Sequence, residues 1–515
     1  MTKRFLFISL AMLFSATGVL GQGQSRDGIP DDWKTNGVTV AFADGHTRFL
    51  DLPGKGASPR HKDVIVWITW MDAPDHSHKP VASTTKASDG SGQTIENVPL
   101  GRVIQAFKNA PVKNLDGTTG INLILIYSDM KPIVEVPQIG TTDPNGIYDW
   151  SELEKLTLPQ FPTGPPGIAQ AIHLCTFIHQ MGGESLFYTG LSKTIPGHEF
   201  LVSLGGSSDQ TGTSDQQVGT FMHELGHNLG LSHGGADDIL YKPNYLSVLN
   251  YLFQVTGLME QGTLGHFDYS RQKFDFDEHS VDGTHGVSQD PALEDYGSAE
   301  TCDQYGSKFR YYPSLSAPIK WDCTDDDPIP GVQPKDVNRD GFVQLLTGWD
   351  DWASIILAPS ISGAGAGMNM FKTPKPRDEL DVRRIATIFA GLTVPSVSVT
   401  NEAGGIRIRW SRVPLESVVA YEVLRYRPGA PPDVIRQTKS SEFLDTTGIP
   451  GVTYNYQVRL VVNGFSSEAI DRAASIYTNV HALQAGMIRS VLSTKHAISD
   501  TLMLSTPTRT IKASR

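Results

Sequence analysis

The thirteen residues Phe221-Met222-His223-Glu224-Leu225-Gly226-His227-Asn228-Leu229-Gly230-Leu231-Ser232-His233 constrain this chain more than any other stretch. On a helix, His223 and His227 stand four apart, so both imidazoles leave one face and can share one metal ion. Glu224 lies beside them, where a carboxylate can take a proton from a metal-bound water. Gly230 lets the chain leave the helix in a left-handed or open conformation, and His233 can then swing back as a third ligand. Three protein nitrogens leave one coordination position for water, the catalytic arrangement. Core or surface histidines on an ordinary amphipathic helix would leave the extension from Gly230 to His233 unexplained. Upstream, Val218, Phe221, Met222, Leu225 and Leu229 fall at helical spacing and should face a core, with Thr213 or Ser214 as the cap and Asp215 favourable at the N-terminus.

The pattern H-E-x-x-H-x-x-G-x-x-H resembles that of the metzincin zinc endopeptidases. The resemblance implies zinc on His223, His227 and His233, Glu224 as general base and Gly230 at the turn. It also implies a tight turn beneath the metal, centred on methionine. The best match, Ser247-Val248-Leu249-Asn250-Tyr251, departs from the family by placing Leu249 where methionine is expected. Leu for Met nearly conserves volume and should cost under about 1.5 kcal/mol. Tyr251 falls where astacin-like and serralysin-like members carry a tyrosine near the zinc. It is a candidate catalytic residue, as zinc ligand or oxyanion donor; packing in an aromatic cluster with Tyr245 and Phe253 is the alternative.

At 515 residues the chain should divide into ~3 domains. Its net charge of −12 argues against a general nucleic-acid binder, which would carry a basic stripe. Met1-Thr2-Lys3-Arg4 precedes the apolar run Phe5 to Phe14 and then small residues, the grammar of a secretory signal peptide over residues 1–21. An uncleaved anchor is the alternative, though the run is short for a span. A secreted protein, extracellular or periplasmic, is therefore expected, with no later membrane span. In an oxidising compartment Cys302 and Cys323 pair as a disulfide. Cys175 sits in an apolar element and reads as a free core thiol, with a Cys–His nucleophile as the weaker reading.

Residues 22–60 read as an acidic, turn-rich segment, in which Asp27-Gly28-Ile29-Pro30-Asp31-Asp32-Trp33 resembles the end of a calcium-binding, thrombospondin-type acidic repeat; with one partial copy, a turn with solvated carboxylates is the favoured reading. A catalytic domain is expected over 61–392. Asp63 to Met71 and Gly120 to Tyr127 are buried strands by their apolar, β-branched character, and Leu100 to Ala110 is a helix ended by Pro111. Strand, helix, strand before the histidine helix suits a twisted mixed sheet beneath that helix, an α+β architecture. The resemblance implies a substrate lying along the edge strand of that sheet. His76 and His78 could bind metal from an extended segment, or belong to a polar loop; His198 reads as structural.

Residues 234–351 look like a long insertion of surface loops. Within it Asp336-Val337-Asn338-Arg339-Asp340-Gly341 matches the front half of a calcium loop, with Asp336, Asn338 and Asp340 as candidate Ca²⁺ ligands. The last ligand fails, since Thr347 stands where Glu belongs; Asp350 or Asp351 could substitute, with Asp325, Asp326 and Asp327 near in sequence. Ala358 to Gly367 is a small-residue stretch, and Asp378 to Leu392 has helical spacing. From Pro395 short alternating strands, Gly405 to Trp410, Tyr421 to Tyr426 and Thr453 to Val461, argue an all-β sandwich of about seven strands. With Trp410, Tyr454 and Tyr456 this region resembles a fibronectin type III domain over 395–478, followed by a tail, 479–515.

The expected protein is a secreted zinc endopeptidase acting on protein or peptide, with zinc, and calcium as a possible second ion. The C-terminal module is a spacer or a binder of protein or polysaccharide. Two alternatives stand: an inactive metzincin-like adhesion protein, and a zinc hydrolase of a non-peptide amide or ester.

Overall fold

The computed structural model describes residues 23–80, 100–358, 372–462 and 475–481, with breaks at 184–186, 208–209, 305, 307, 324–329, 377–378, 382–383, 386–387, 389–396, 403, 411, 414–417, 427–432 and 450–451. The expected signal segment, Asp325 to Asp327, almost all of the small-residue stretch, much of the helix expected from Asp378 and the tail beyond His481 lie outside the described residues.

The chain opens with helix α1 (Asp31–Asn36) and an antiparallel pair, β1 (Val38–Ala41) and β2 (Thr47–Leu50). Asp27 is not the solvated carboxylate expected: it is buried, ion-paired to the buried Lys34, which also meets Asp63 Oδ2 at 2.7 Å. Removing a charge from water is tolerable only with such partners, and these fasten the N-terminal segment to the first residue of the next strand. Ile29, Trp33, Val38, Val40 and Leu50 join one cluster with Ile65, Trp67 and Ile124.

The central strand is β3 (Asp63–Asp72), buried from Asp63 through Met71. Its alternate residues face opposite ways. Ile65 and Trp67 join the N-terminal cluster, while Val64, Val66, Ile68 and Trp70 join the main core. Helix α2 (Gly101–Lys108) follows, then β4 (Asn122–Tyr127), the two-residue β5 (Ile133–Val134), helices α3 (Ser151–Thr157) and α4 (Ile168–Ala171), β6 (Ile172–Ile178), β7 (Gly190–Ser192) and β8 (Glu199–Ser203). The sheet runs in the order β4-β3-β6-β8-β7, with β5 extending it beside β3; only β7, at the edge, is antiparallel. Burial on both faces is what such parallel strands require, and it explains their continuous apolar runs.

Helix α5 (Ser214–Asn228) carries the histidines. Val218, Phe221, Met222 and Leu225 join the core on the same side of the sheet as Val103 and Phe107 of α2. Thr213 caps α5 with a reciprocal bond to Gln216. Arg102 of α2 pairs with Asp215 at 2.7 Å and donates to Ser214 Oγ at 3.1 Å, fixing where α5 begins.

The expectation of surface loops over 234–351 fails. Tyr245, Val248, Leu249, Leu252, Phe253, Tyr269, Ile319, Trp321 and Leu346 are buried in the main core. Its aromatics lack period because short strand pairs and turns, rather than long elements, carry them. Among these are β9 (Leu258–Glu260) with β10 (Thr263–His266), β11 (Phe276–Asp277) with β14 (Leu345–Leu346), and β12 (Ser298–Thr301) with β13 (Phe309–Tyr312). Cys302 and Cys323 are bonded to each other, and Cys175 is a buried free thiol.

Beyond the short helix α6 (Asp351–Ser354), two antiparallel sheets close the described chain. One holds β15 (Val397–Glu402), β16 (Gly405–Trp410) and β19 (Glu442–Asp445). The other holds β17 (Val418–Tyr426), β18 (Asp433–Thr438), β20 (Thr453–Val462) and β21 (Ser475–His481). Trp410 of the first lies 5.6 Å from Tyr421 of the second, ring to ring. The last strand reaches His481, so the start of the expected tail is paired backbone.

Candidate metal centre

Helix α5 ends as its glycine requires. Gly230 has φ of +94°, its N–H donates to the His227 carbonyl, and Leu231 N–H donates to the Gly226 carbonyl. These two bonds make a Schellman motif, in which the residue after the helix takes the left-handed conformation. The turn has a chemical use: the Leu231 carbonyl accepts the Nδ1 proton of His227 at 2.7 Å. His223 Nδ1 likewise donates to the Val248 carbonyl at 2.9 Å. With Nδ1 protonated and held, each ring turns a bare Nε2 inward, as metal ligation needs.

Those nitrogens converge. His227 Nε2 lies 3.1 Å from His223 Nε2 and 3.1 Å from His233 Nε2. Ligands at ~2.0–2.1 Å around a tetrahedral zinc ion stand ~3.3–3.4 Å apart, so three imidazoles at these separations fit one ion. Burial keeps His227 well below its usual pKa, with His223 adding to the effect, and burial lowers His223 too. Neutral rings are the ligating form.

Glu224 is fully buried and neither of its oxygens makes an aligned hydrogen bond. Burial, reinforced by a second carboxylate nearby, pushes it well above the ordinary range. Gly190 on β7 gives this side chain its room: a Cβ there would fall 2.6 Å from Glu224 Oε1.

That second carboxylate is Glu379, which sequence reasoning missed. It is buried, with Oε2 3.3 Å from His223 Nε2 and 3.5 Å from His233 Nε2, and Oε1 3.8 Å from His227 Nε2. Its oxygens too lack an aligned hydrogen bond. Burial pushes the Glu379 carboxyl up; His233, His223 and His227 outweigh it when protonated and hold the group far below its usual range, a part that falls to a cation when the rings are neutral. A buried carboxylate without hydrogen bonds is costly unless something else compensates it. One cation among the three nitrogens and Glu379 would do so, and the donor set suits zinc.

Glu379 arrives on a segment that runs antiparallel along edge strand β7. Ile195 and Lys372 exchange backbone hydrogen bonds of 2.8 and 2.9 Å, and Thr189 N–H donates to the Leu380 carbonyl at 2.9 Å. Lys372, Leu380 and Asp381 therefore pair with the residues on either side of β7, where a bound strand would meet the sheet edge.

The hydroxyl of Tyr251 stands 2.8 Å from His233 Nε2, and its ring packs on His223, His233 and Tyr241. Tyr245, its expected neighbour, instead donates to Asp351. Leu249 is buried under α5, and a Cβ on Gly226 would meet it at 2.7 Å. The candidate calcium loop takes its turn, with Gly341 at φ +93°; several of its oxygens bond nearby, while Asp336 Oδ1 is buried without a hydrogen bond. Asp336 Oδ2 accepts from Gly341 N–H, Asp340 Oδ1 from Phe342 N–H, and Asn338 Nδ2 donates to Asp340 Oδ2. The suggested substitutes for the last ligand are engaged elsewhere: Asp350 caps α6, and Asp351 accepts from Tyr245 and Ser270. Burial pushes the Cys175 thiol far up, which removes it as a nucleophile. His198 stacks near His173, at 5.2 Å between rings. His76 and His78 come together with Glu135 and His179, neither of which the sequence flagged.

Residues 166–234, from just before α4 through His233, match the metallo-peptidase family M12B, reprolysin-like. No curated protein matches the chain. Two solved structures share 17% identity with it. One is a pectate lyase from Erwinia chrysanthemi in complex with tetragalacturonic acid, over 16% of this chain and 27% of that one, at a TM-score of 0.14. The other is a fourth FNIII domain of human origin, over 19% of this chain and 83% of that one, at 0.16. The chain thus spans about a quarter of the length of the first.

Proposed function

We propose that the protein is a secreted zinc endopeptidase, held in a closed state by its own residues 372–381. The convergence of the His223, His227 and His233 Nε2 atoms beside the buried Glu224 carries this reading, and the M12B match over the same residues supports it. When bound, zinc supplies Lewis acidity: it polarises the scissile carbonyl and lowers the pKa of water. Val248 and Leu231 hold the two helical imidazoles in the ligating tautomer. Glu224, its carboxyl made basic by burial, takes a proton from the attacking water and delivers it to the leaving amine. Tyr251 places a hydroxyl where charge develops on the carbonyl oxygen. A substrate strand pairs with β7 in place of residues 372–381. The Cys302–Cys323 bond supports an oxidising compartment. The seven strands from Val397, with Trp410 and Tyr456 in their core, support a fibronectin type III-like module that spaces or binds.

Glu379 also favours a second reading. Four protein ligands make a closed site, and a closed site is structural; the protein would then be an inactive adhesion protein of the same ancestry. Zinc content and casein cleavage by the full chain, beside Glu224→Ala, separate the two. Slow cleavage by the wild type, none by the variant and equal zinc in both support the peptidase. Zinc without any cleavage, even after Glu379→Ala, leaves the adhesion protein.

A further inference from the structure

A second set of ligand atoms converges away from α5, at the C-terminal ends of three parallel strands. His76 and His78 lie in the loop after β3, Glu135 directly follows β5 and His179 directly follows β6. Because β5 and β6 both pair in parallel with β3, these ends gather at one margin of the sheet. Backbone bonds fix each carrier. His78 N–H donates to the Met71 carbonyl and Glu135 N–H to the Asp72 carbonyl, both at 2.9 Å, while the His179 carbonyl accepts from Gly205 N–H at 2.8 Å.

The side chains meet at one point. Glu135 Oε2 lies 2.8 Å from His76 Nε2, 2.9 Å from His78 Nε2 and 3.5 Å from His179 Nδ1. His179 Nδ1 is 3.2 Å from His78 Nε2. These separations bracket the ~3.3–3.4 Å edge of a tetrahedral zinc-type site. Hydrogen bonding alone explains them poorly. His76 Nε2 is buried and, though close to the carboxylate, is not aligned to bond with it. His78 and His179 point their nitrogens at each other and at the same oxygen, so one ring must spend its only inward proton twice or go without. A cation at the centre satisfies all four groups together. His76 is already set for it: Nδ1 contacts Asp75 Oδ1 at 3.0 Å, which leaves the Nε2 lone pair inward.

We propose that His76, His78, Glu135 and His179 form a second metal site for a divalent ion of the zinc class, independent of the α5 centre. Three imidazoles and one carboxylate suit such an ion better than calcium or magnesium, which seek oxygen. Four protein ligands leave no open position, so the site is structural. It pins the loop after β3 to the ends of β5 and β6.

Zinc per folded chain, measured after dialysis at micromolar free zinc, tests this in four arms. Wild type should hold two equivalents, His227→Ala one, His76→Gln with Glu135→Gln one, and the combined variant none. The thermal midpoint should fall in the pair at 76 and 135 and recover in part as zinc is raised. One equivalent in the wild type, lost entirely in His227→Ala, overturns the second site while leaving the first. If a variant does not fold, the wild type decides by cobalt titration. Tetrahedral absorption that saturates at two equivalents supports the site; saturation at one, with that ion lost in His227→Ala or, should that variant not fold, in His233→Gln, refutes it.

Discussion

Replacing Glu379 by alanine removes one carboxylate from the metal centre and leaves the backbone bonds of Lys372 and Leu380 to the β7 margin in place. The change therefore isolates the contribution of the carboxylate to closure. We take the contact of Glu379 with the centre to be worth as much as a hydrogen bond to a charged group, about 1.5–3 kcal/mol net. If closure competes with substrate for the same position, the competent fraction rises by that factor when the contact is lost. At ~1.36 kcal/mol per decade, kcat/KM should rise about 10- to 150-fold. Glu379→Gln, which keeps the shape but not the charge, should fall between the two. The assay is initial-rate cleavage of an internally quenched peptide, with zinc measured in the same samples. An unchanged rate with zinc retained refutes closure by Glu379. Loss of zinc with no gain in rate makes Glu379 a structural ligand and returns the centre to the adhesion-protein reading.

Gly230→Ala forces a side chain into φ +94° and sets its Cβ 3.0 Å from Ile356 Cδ1. The left-handed strain alone should cost about 1–2 kcal/mol, and chelator competition should show weaker zinc binding as the Leu231 carbonyl shifts from His227. Arg102→Ala strips the buried Asp215 of its cation and should lower stability by about 3–5 kcal/mol in urea unfolding, felt at the start of α5. Burial pushes the Asp351 carboxyl up to about 7, against ~3.9 unfolded. The folded state thus holds this proton more tightly than the unfolded one. Its contribution is complete below about pH 4 and is lost as pH rises through about 7, so Asp351→Asn should flatten the melting temperature between those limits. Removing both Cys302 and Cys323 opens a loop of 21 positions and should cost about 3 kcal/mol, read as a lower denaturation midpoint.

The histidine helix, its cap at Thr213 and the strands β3 and β4 were legible because each is a continuous segment with a period or a motif. Gly230 was legible for the same reason: its need for positive φ is local. Glu379 was not. Nothing in Glu379-Leu380-Asp381 separates a carboxylate that enters a metal centre from one on a solvated helix, since only the pairing along β7 brings it there. Gly190 is equally silent, because its requirement comes from a side chain 34 positions away. His76 and His78 gave half a signal, a pair in extended chain. Glu135 and His179 complete it only because β5 and β6 both lie beside β3. Residues 234–351 misled by their polarity. Tyr245, Tyr269 and Trp321 are spaced without period, and turns rather than helices or long strands carry them inward.

The order of synthesis gives the closing segment a further meaning. Glu379 lies about 150 residues C-terminal of His233. Chains are made N-terminal end first at ~5–20 residues per second, so the histidine set leaves the ribosome roughly 7–30 s before the carboxylate that sits among it. During that interval Thr189 and Ile195, on either side of β7, lack their partners Leu380 and Lys372, and a growing chain interrupted there would carry the ligands and the base with an uncovered edge. On the proposed reading, restraint by Glu379 is therefore a property of the finished protein.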